Sequence, residues 1–207
     1  MLTIIDADIG NLGSVAQAFQ RVGIEATPSA SPADLERSTG IVLPGVGAFG
    51  EAMTNLKARG FELPLLHAVK DRHIPLIGIC LGMQLLAKEG HEFGTFAGLG
   101  LLDAHVEALP PVPGETIPNM GWCEVIPAGP DALPGVPNPT AFYFAHSYHM
   151  RCACTADIAA TTPWGENQVV AAVRRGNIMG VQFHPEKSQD AGLSLLHAFA
   201  ESIARRN

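Results

Sequence analysis

The first half of the chain alternates short apolar runs with amphipathic stretches. Leu2–Asp6 is a mostly apolar run that predicts a buried strand. Asn11–Arg21 places Leu12, Val15, Ala16 and Phe19 at helical spacing, so it predicts a helix. Gly23–Thr27 and Ile41–Leu43 predict two more strands. Between them Pro32–Arg37 predicts a short helix, with Ser31 as its cap and Pro32 at its first position. Helical spacing returns at Phe49–Ala58 and Leu63–Lys70, then comes a strand at Pro75–Ile79 and a helix at Leu81–Ala87. Strands alternating with helices predict an α/β fold: an open, mostly parallel sheet with helices on both faces.

The pattern changes from Gly94 to Pro139, which is rich in glycine and proline. Short antiparallel strands and loops are expected there, most clearly at "GWCEVI". Phe142–Ala145, Val169–Val173 and Ile178–Phe183 predict further strands, and a helix from Ala191 to about Ala204 closes the chain. The sheet should therefore be mixed. No repeat, low-complexity tract or linker interrupts it, so one domain over residues 1–207 is expected.

Composition narrows the function classes. The chain is 47% apolar and 16% charged, which implies a sizeable buried core. A net charge of −7, with no basic run longer than a pair (Arg174–Arg175 and Arg205–Arg206), argues against nucleic acid as a partner. No segment approaches the roughly 20 apolar residues of a membrane span. "MLTIID" runs into a strand without a signal-type lead, so a cytoplasmic protein is expected. Four cysteines are too few for a disulfide framework. Cys152 and Cys154 are expected to be small buried residues on one side of a strand, and no Cys/His spacing points to a metal. No cofactor is expected.

The chemistry concentrates at "PLIGICLGMQLL". Gly78-Ile79-Cys80-Leu81-Gly82 has the pattern of a nucleophile elbow with cysteine in place of serine. Its glycines allow a sharp turn, and a cysteine where a helix begins faces the positive end of the dipole, which favours a thiolate. Such a nucleophile needs a proton shuttle. Of eight histidines, His184 in "GVQFHPEKS" stands just past a predicted strand, where strand ends of open α/β sheets meet a cleft. Glu186, two residues on, can hold one ring nitrogen while the other faces Cys80. His67, His73, His91, His105 and His197 read as structural or solvated. His146 and His149 in "YFAHSYHM" follow a strand, where they either line the cleft or serve packing alone.

A second loop, "GIVLPGVGAFGEAM", raises a different possibility. Gly45, Gly47 and Gly50 spell G-x-G-x-x-G, a dinucleotide fingerprint that expects an acidic residue at the end of the next strand. That strand ends at Cys80, and Asp71 falls in the helical tail before it. With a cysteine elbow nearby, the loop has another use: attack on an acyl carbon builds an oxyanion, and backbone amides aimed at it stabilise it. The Leu81 amide and the Pro44–Gly47 turn can supply them.

The segments "GNLGSV", "LPGVGAFG", "GICLGMQLL", "GLGLL", "IPNMGW", "FAHSY" and "GVQFHPEKS" together resemble class I (triad) glutamine amidotransferases. Within that family they resemble the glutaminase subunits of imidazole glycerol phosphate synthases. The resemblance implies that Cys80 attacks the side-chain amide of glutamine, that His184 shuttles protons, and that Glu186 orients His184. It implies oxyanion donors at Val46, Gly47 and Leu81, and glutamine-holding positions at Gln84, Glu92, Ser147 and Tyr148. It further implies a heterodimer with a (β/α)8-barrel cyclase subunit, which receives the ammonia for histidine biosynthesis. Asn11, Tyr143, His146 and Lys187 match positions near that subunit. The family usually has Asn after "GW", where this chain has Cys123; this puts local hydrogen bonding in question and touches no triad member.

Three other readings compete. One is a glutaminase serving another synthase, against which the HSY and NMGW segments argue. Another is a free-standing γ-glutamyl hydrolase, which would need no partner. The last is a flavodoxin-like binding protein without catalysis, from which Cys80→Ala would remove nothing.

Overall fold

The computed structural model describes residues 1–137 and 139–205; Arg206 of the last basic pair lies outside them. Leu2–Ile5 (β1) is buried at every position, as a strand covered on both faces must be. Asn11 caps the helix Leu12–Arg21 (α1), its side chain accepting from the Ser14 amide at 3.3 Å. The helix ends in a glycine turn. Gly23 takes φ +78°, and the Gly23 and Ile24 amides donate back to the Gln20 and Phe19 carbonyls. These bonds occupy the residues expected to start the next strand, so that strand is Ala26–Ser29 (β2), not Gly23–Thr27.

A 3-10 turn at Pro32–Arg37 has Pro32 first, but Ser31 makes no capping bond. Gly40–Gly45 (β3), Phe49–Ala58 (α2) and Glu62–Leu66 (α3) follow, and α3 continues as a wider turn to Asp71. Leu76–Cys80 (β4) runs into a single helical turn, Leu81–Gln84 (α4). The longer helix expected to Ala87 does not form. The carbonyls of Leu85, Leu86 and Ala87 accept from the amides of residues 99–102 instead of from a continuing helix.

Short strands come next: Glu89–Gly90 (β5), Phe96–Ala97 (β6) and Ala104–Ala108 (β7). Asn119–Pro127 (β8), Thr140–His146 (β9), Tyr148–Cys152 (β10), Ile158–Trp164 (β11), Asn167–Arg175 (β12) and Ile178–Val181 (β13) precede the closing helix Gln189–Ala204 (α5). Nine strands form one sheet in the order β2-β1-β3-β4-β13-β12-β11-β8-β9. It is parallel from β2 to β13 and antiparallel from there to β9. A second sheet, β10-β7-β5-β6, stands beside it.

Alternation along β3 divides the core. Val42 joins α1 and α5 on one face, while Ile41 and Leu43 join α2 and α3 on the other, with Val106 and Met150 of the second sheet. Helices therefore cover both faces, as expected. The C-x-C pair behaves differently from its expectation. β10 ends at Cys152, so the alternation that would align both thiols stops there; Cys152 is half-buried and Cys154 exposed. Among the described residues no helix is long and apolar enough to cross a membrane.

Candidate active site

The parallel strands β3, β4 and β13 end side by side, and the chemistry-bearing residues lie at those ends. Cys80 is the last residue of β4 and has φ +53°, ψ −111°. A non-glycine residue in that region stores strain of about 1–3 kcal/mol. The surroundings hold it there by backbone packing. A Cβ on Gly45 would lie 2.7 Å from the Gly82 nitrogen, and one on Gly78 would lie 2.6 Å from the Gly82 oxygen. A Cβ on Gly82 would penetrate the Leu43 carbonyl. The glycine loop thus has a first use that needs no ligand: Gly45, paired with Cys80 in the sheet register, lets the elbow close against β3.

Beyond β13 the chain bends at Gln182 and Phe183. The Gln182 amide donates to the Ala171 carbonyl, and Phe183 packs against Phe142 with ring centroids 4.0 Å apart. Gln182 and His184, on either side of buried Phe183, both come to Cys80: Gln182 Nε2 lies 3.8 Å from Sγ and His184 lines the same cavity. The His184 amide donates to the Tyr143 carbonyl, and Ser188 clamps the turn, donating to the His184 carbonyl at 2.6 Å and accepting from the Tyr143 amide at 3.0 Å.

His184 Nδ1 lies 2.8 Å from Glu186 Oε1, and both side chains are nearly fully buried. Burial alone would push the imidazole down. The neighbouring Cys80 sulfur and the hydrogen-bonded Glu186 carboxylate outweigh it and raise His184 to about 9. Glu186, His184 and Cys80 thus bring a carboxylate, an imidazole and a thiol to one cavity.

These groups open into a cavity of about 370 Å³ lined by Val46, Gly47, Cys80, Leu81, Gln84, Glu92, Ser147, Tyr148, His146, His184 and Lys187, with Pro118, Met120 and Ala145. Glu92 Oε2 also accepts from the Phe49 amide at 2.8 Å, where α2 begins. Gln84 Nε2 donates to the Tyr148 carbonyl and to Gln182 Oε1, both at 2.9 Å. The Val46 amide is engaged in this conformation, donating to the Ile9 carbonyl at 2.6 Å. Gly47 has φ +97° and nothing within 4 Å of an added Cβ, so that peptide has room.

The remaining predicted positions divide. Tyr143 and Lys187 stand together at the rim, the ammonium 5.9 Å from the ring centroid. His146 is buried in the cavity wall, and burial lowers its pKa to about 4. Asn11 lies instead in a larger open groove along α1. His149 does not line the cavity; it is buried with neither ring nitrogen hydrogen-bonded. His67, His91 and His105 face the surface beside Asp71, Glu89 and Glu107.

Four residues escaped the sequence reading. Gln182 and Ser188 are buried polar groups flanking the H-P-E turn, and their place in that segment was the available signal. Asn119 sits within "NMGW" and contacts His146 Nε2 at 3.1 Å. Trp122 is exposed beside Tyr143, ring centroids 6.3 Å apart; only the structure shows that exposure. Among the described residues no group of three or more His, Cys, Asp or Glu could hold a metal ion.

A strained cysteine on a strand-to-helix elbow, an imidazole held by a carboxylate, and the doubly covered mixed sheet define a class, and the chain belongs to it: the class-I glutamine amidotransferase family, whose model matches residues 3–202. The relatives narrow this further. The chain is 42% identical to the imidazole glycerol phosphate synthase subunit HisH of Synechococcus sp. (strain JA-3-3Ab) over 207 residues, 99% of this chain and 95% of the relative. It is 43% identical to the subunit of the same name from Rhodopirellula baltica, 97% of each chain being covered. A solved glutamine amidotransferase matches with TM-score 0.78 at 23% identity, covering 99% of this chain and 100% of that one. The glutaminase domain of a Trypanosoma brucei CTPS matches with TM-score 0.68 at 17% identity, covering 100% and 95%. These two likenesses speak for the fold.

Proposed function

We propose that the chain, as one domain, is the glutaminase subunit of an imidazole glycerol phosphate synthase. The observation that carries the chemistry is His184, held by Glu186 at one ring nitrogen and lining the same cavity as Cys80. Full-length relatives of that name, at about the same identity in several bacteria, support the particular synthase.

In this reading the Cys80 sulfur attacks the side-chain amide carbon of glutamine. The carbon–nitrogen bond breaks as the His184 imidazolium gives its proton to the leaving nitrogen, so ammonia departs and a γ-glutamyl thioester remains. Water then attacks the thioester carbon. His184 takes its proton, the sulfur leaves as thiolate, and glutamate is released with the imidazolium restored. Amides of Gly47 and Leu81 serve the oxyanion, and the Val46 amide joins them if its peptide turns away from Ile9. Glu92 suits the substrate's α-ammonium by charge, and Gln84, Ser147 and Tyr148 line the remaining wall.

The ammonia is meant for a second subunit, a (β/α)8-barrel cyclase, in a heterodimer. Support comes from the surface around the cavity mouth. Val46, Ile117, Met120 and Trp122 are large apolar side chains that are substantially exposed, and Val46 and Met120 line the cavity itself. An apolar patch of that kind marks a protein contact. Tyr143 and Lys187 adjoin it. A cytoplasmic location is in keeping with this role.

The test is co-expression with a barrel synthase subunit. Co-purification and glutamine-dependent formation of the imidazole product are expected, with both glutamine hydrolysis and product lost in Cys80→Ala while ammonium salts still support synthesis. Undiminished hydrolysis by Cys80→Ala would refute the chemistry, and rapid hydrolysis by the lone chain would refute the coupling.

A further inference from the structure

We infer that Gln182 holds the Cys80 sulfur through its side-chain N–H, and that the Tyr148 carbonyl dictates this polarity from the far end of a hydrogen-bond chain. The inference rests on Cys80 being the nucleophile. Gln182 Nε2 lies 3.8 Å from Cys80 Sγ, within reach of an N–H···S bond.

Which end of an amide faces a neighbour is decided by what the neighbour can accept. The Tyr148 carbonyl can only accept. The Gln84 group 2.9 Å from it is therefore the amino group, Nε2. The second hydrogen of that same nitrogen is directed at Gln182, 2.9 Å away, so the Gln182 atom there is the carbonyl oxygen, Oε1. That leaves the Gln182 amino group on the sulfur side. Turning Gln182 over would set two amino groups against each other; turning Gln84 over would set carbonyl oxygens against each other. Gln182 is 0% exposed, so water does not relieve either clash.

The contact discriminates between the two forms of the sulfur. An N–H donor strengthens when its acceptor becomes an anion. The Ala145 carbonyl, 4.0 Å from Sγ, can instead take the hydrogen of a neutral thiol. His184, backed by Glu186, is a titratable group that lines the same cavity as the sulfur. Gln182 and His184 approach it from the same chain segment just past β13. Gln84 then keeps only Oε1 for a ligand, so the wall it forms offers an acceptor and no donor.

The test is site-resolved alkylation of Cys80 by iodoacetamide, followed by peptide mass spectrometry from acid to alkaline pH. Gln182→Glu and Gln182→Met are compared with the parent chain, and exposed Cys154 serves as the internal standard. Near neutral pH both variants are expected to alkylate Cys80 about tenfold more slowly, the gap closing at alkaline pH, where all have formed thiolate. Rates equal to the parent's near neutral pH overturn the inference. So does slowing by one constant factor at every pH, which would mean a displaced sulfur. Thermal unfolding identifies a variant that has lost its fold, and the other then decides. Glutamine turnover is read separately. A parent chain that alkylates as expected but hydrolyses no glutamine defeats the proposed function and leaves the contact standing.

Discussion

Asn119 donates its side-chain amide to Nε2 of His146 at 3.1 Å. The direction follows because His146 Nδ1 faces the Tyr148 carbonyl at 2.9 Å and must carry the hydrogen, leaving Nε2 of the neutral ring to accept. Burial keeps the ring neutral, lowering its pKa to about 4, against the weaker opposing pull of the Tyr148 carbonyl.

A histidine with a depressed folded pKa makes the unfolded chain bind the proton first as pH falls. His146 therefore leaves stability untouched above about pH 6.5 and reduces it as pH falls from there through about 4. The loss by pH 4 is about 3 kcal/mol relative to neutral pH. Urea unfolding at a series of pH values should show that extra acid sensitivity in the parent chain and its absence in His146→Gln.

Cys123 extends the same chain of bonds, its thiol donating to Asn119 Oδ1 at 3.5 Å. It thus does for Asn119 what a side-chain amide could do at that position. Cys123→Asn is expected to keep stability within about 0.5 kcal/mol, whereas Cys123→Ala frees the Asn119 amide to turn and costs about 1 kcal/mol. Thermal unfolding of the two variants distinguishes them.

His184 behaves oppositely to His146. Its raised folded pKa means that its contribution is fully present below about 6.5 and is lost as pH rises through about 9. In Cys80→Ala or Glu186→Gln one support is gone and burial counts for more. The ring titration followed by proton NMR should then fall well below 9 in both variants. Glu186→Gln should also lower kcat for glutamine hydrolysis by about a hundredfold.

Gly82 and Gly47 should part company on substitution. Alanine at Gly82 drives a methyl group into the Leu43 carbonyl, backbone against backbone, and is expected to cost about 3 kcal/mol or more. Alanine at Gly47 meets no atom within 4 Å and suffers only the strain of φ +97°, about 1–2 kcal/mol. Calorimetry should therefore find Gly47→Ala folded. Its hydrolysis should nonetheless be slowed, because the alanine resists turning of the Val46–Gly47 peptide.

Trp122 is 49% exposed, so its truncation should hardly change the isolated chain. Trp122→Ala is expected to leave the unfolding temperature unaltered and to weaken binding to the synthase subunit at least tenfold by calorimetric titration.

Much of this architecture was legible because burial leaves marks in sequence. Leu76–Cys80 and Ile178–Val181 are apolar enough to read as covered strands, and a cysteine between spaced glycines at a strand end reads as an elbow. What stayed hidden depends on partners distant along the chain. Nothing near Leu85 says that its carbonyl will accept from Leu99 and end α4 early. Gln182 looks like any polar residue between two apolar ones until Gln84 and Cys80 are seen on either side of it. The bounds of β10 and the existence of β11 are not legible, because their burial patterns are broken by exposed or half-exposed positions, with a bulge in β11.

The close fit of Gly45, Gly78 and Gly82 around the elbow carries a practical corollary. The coordinates of position 80 are determined by main-chain atoms, whichever side chain is installed there. A hydroxyl or a selenol could be substituted at the same address with little rearrangement. Differences in turnover among such variants would then report the intrinsic reactivity of the attacking element, free of any contribution from misplacement.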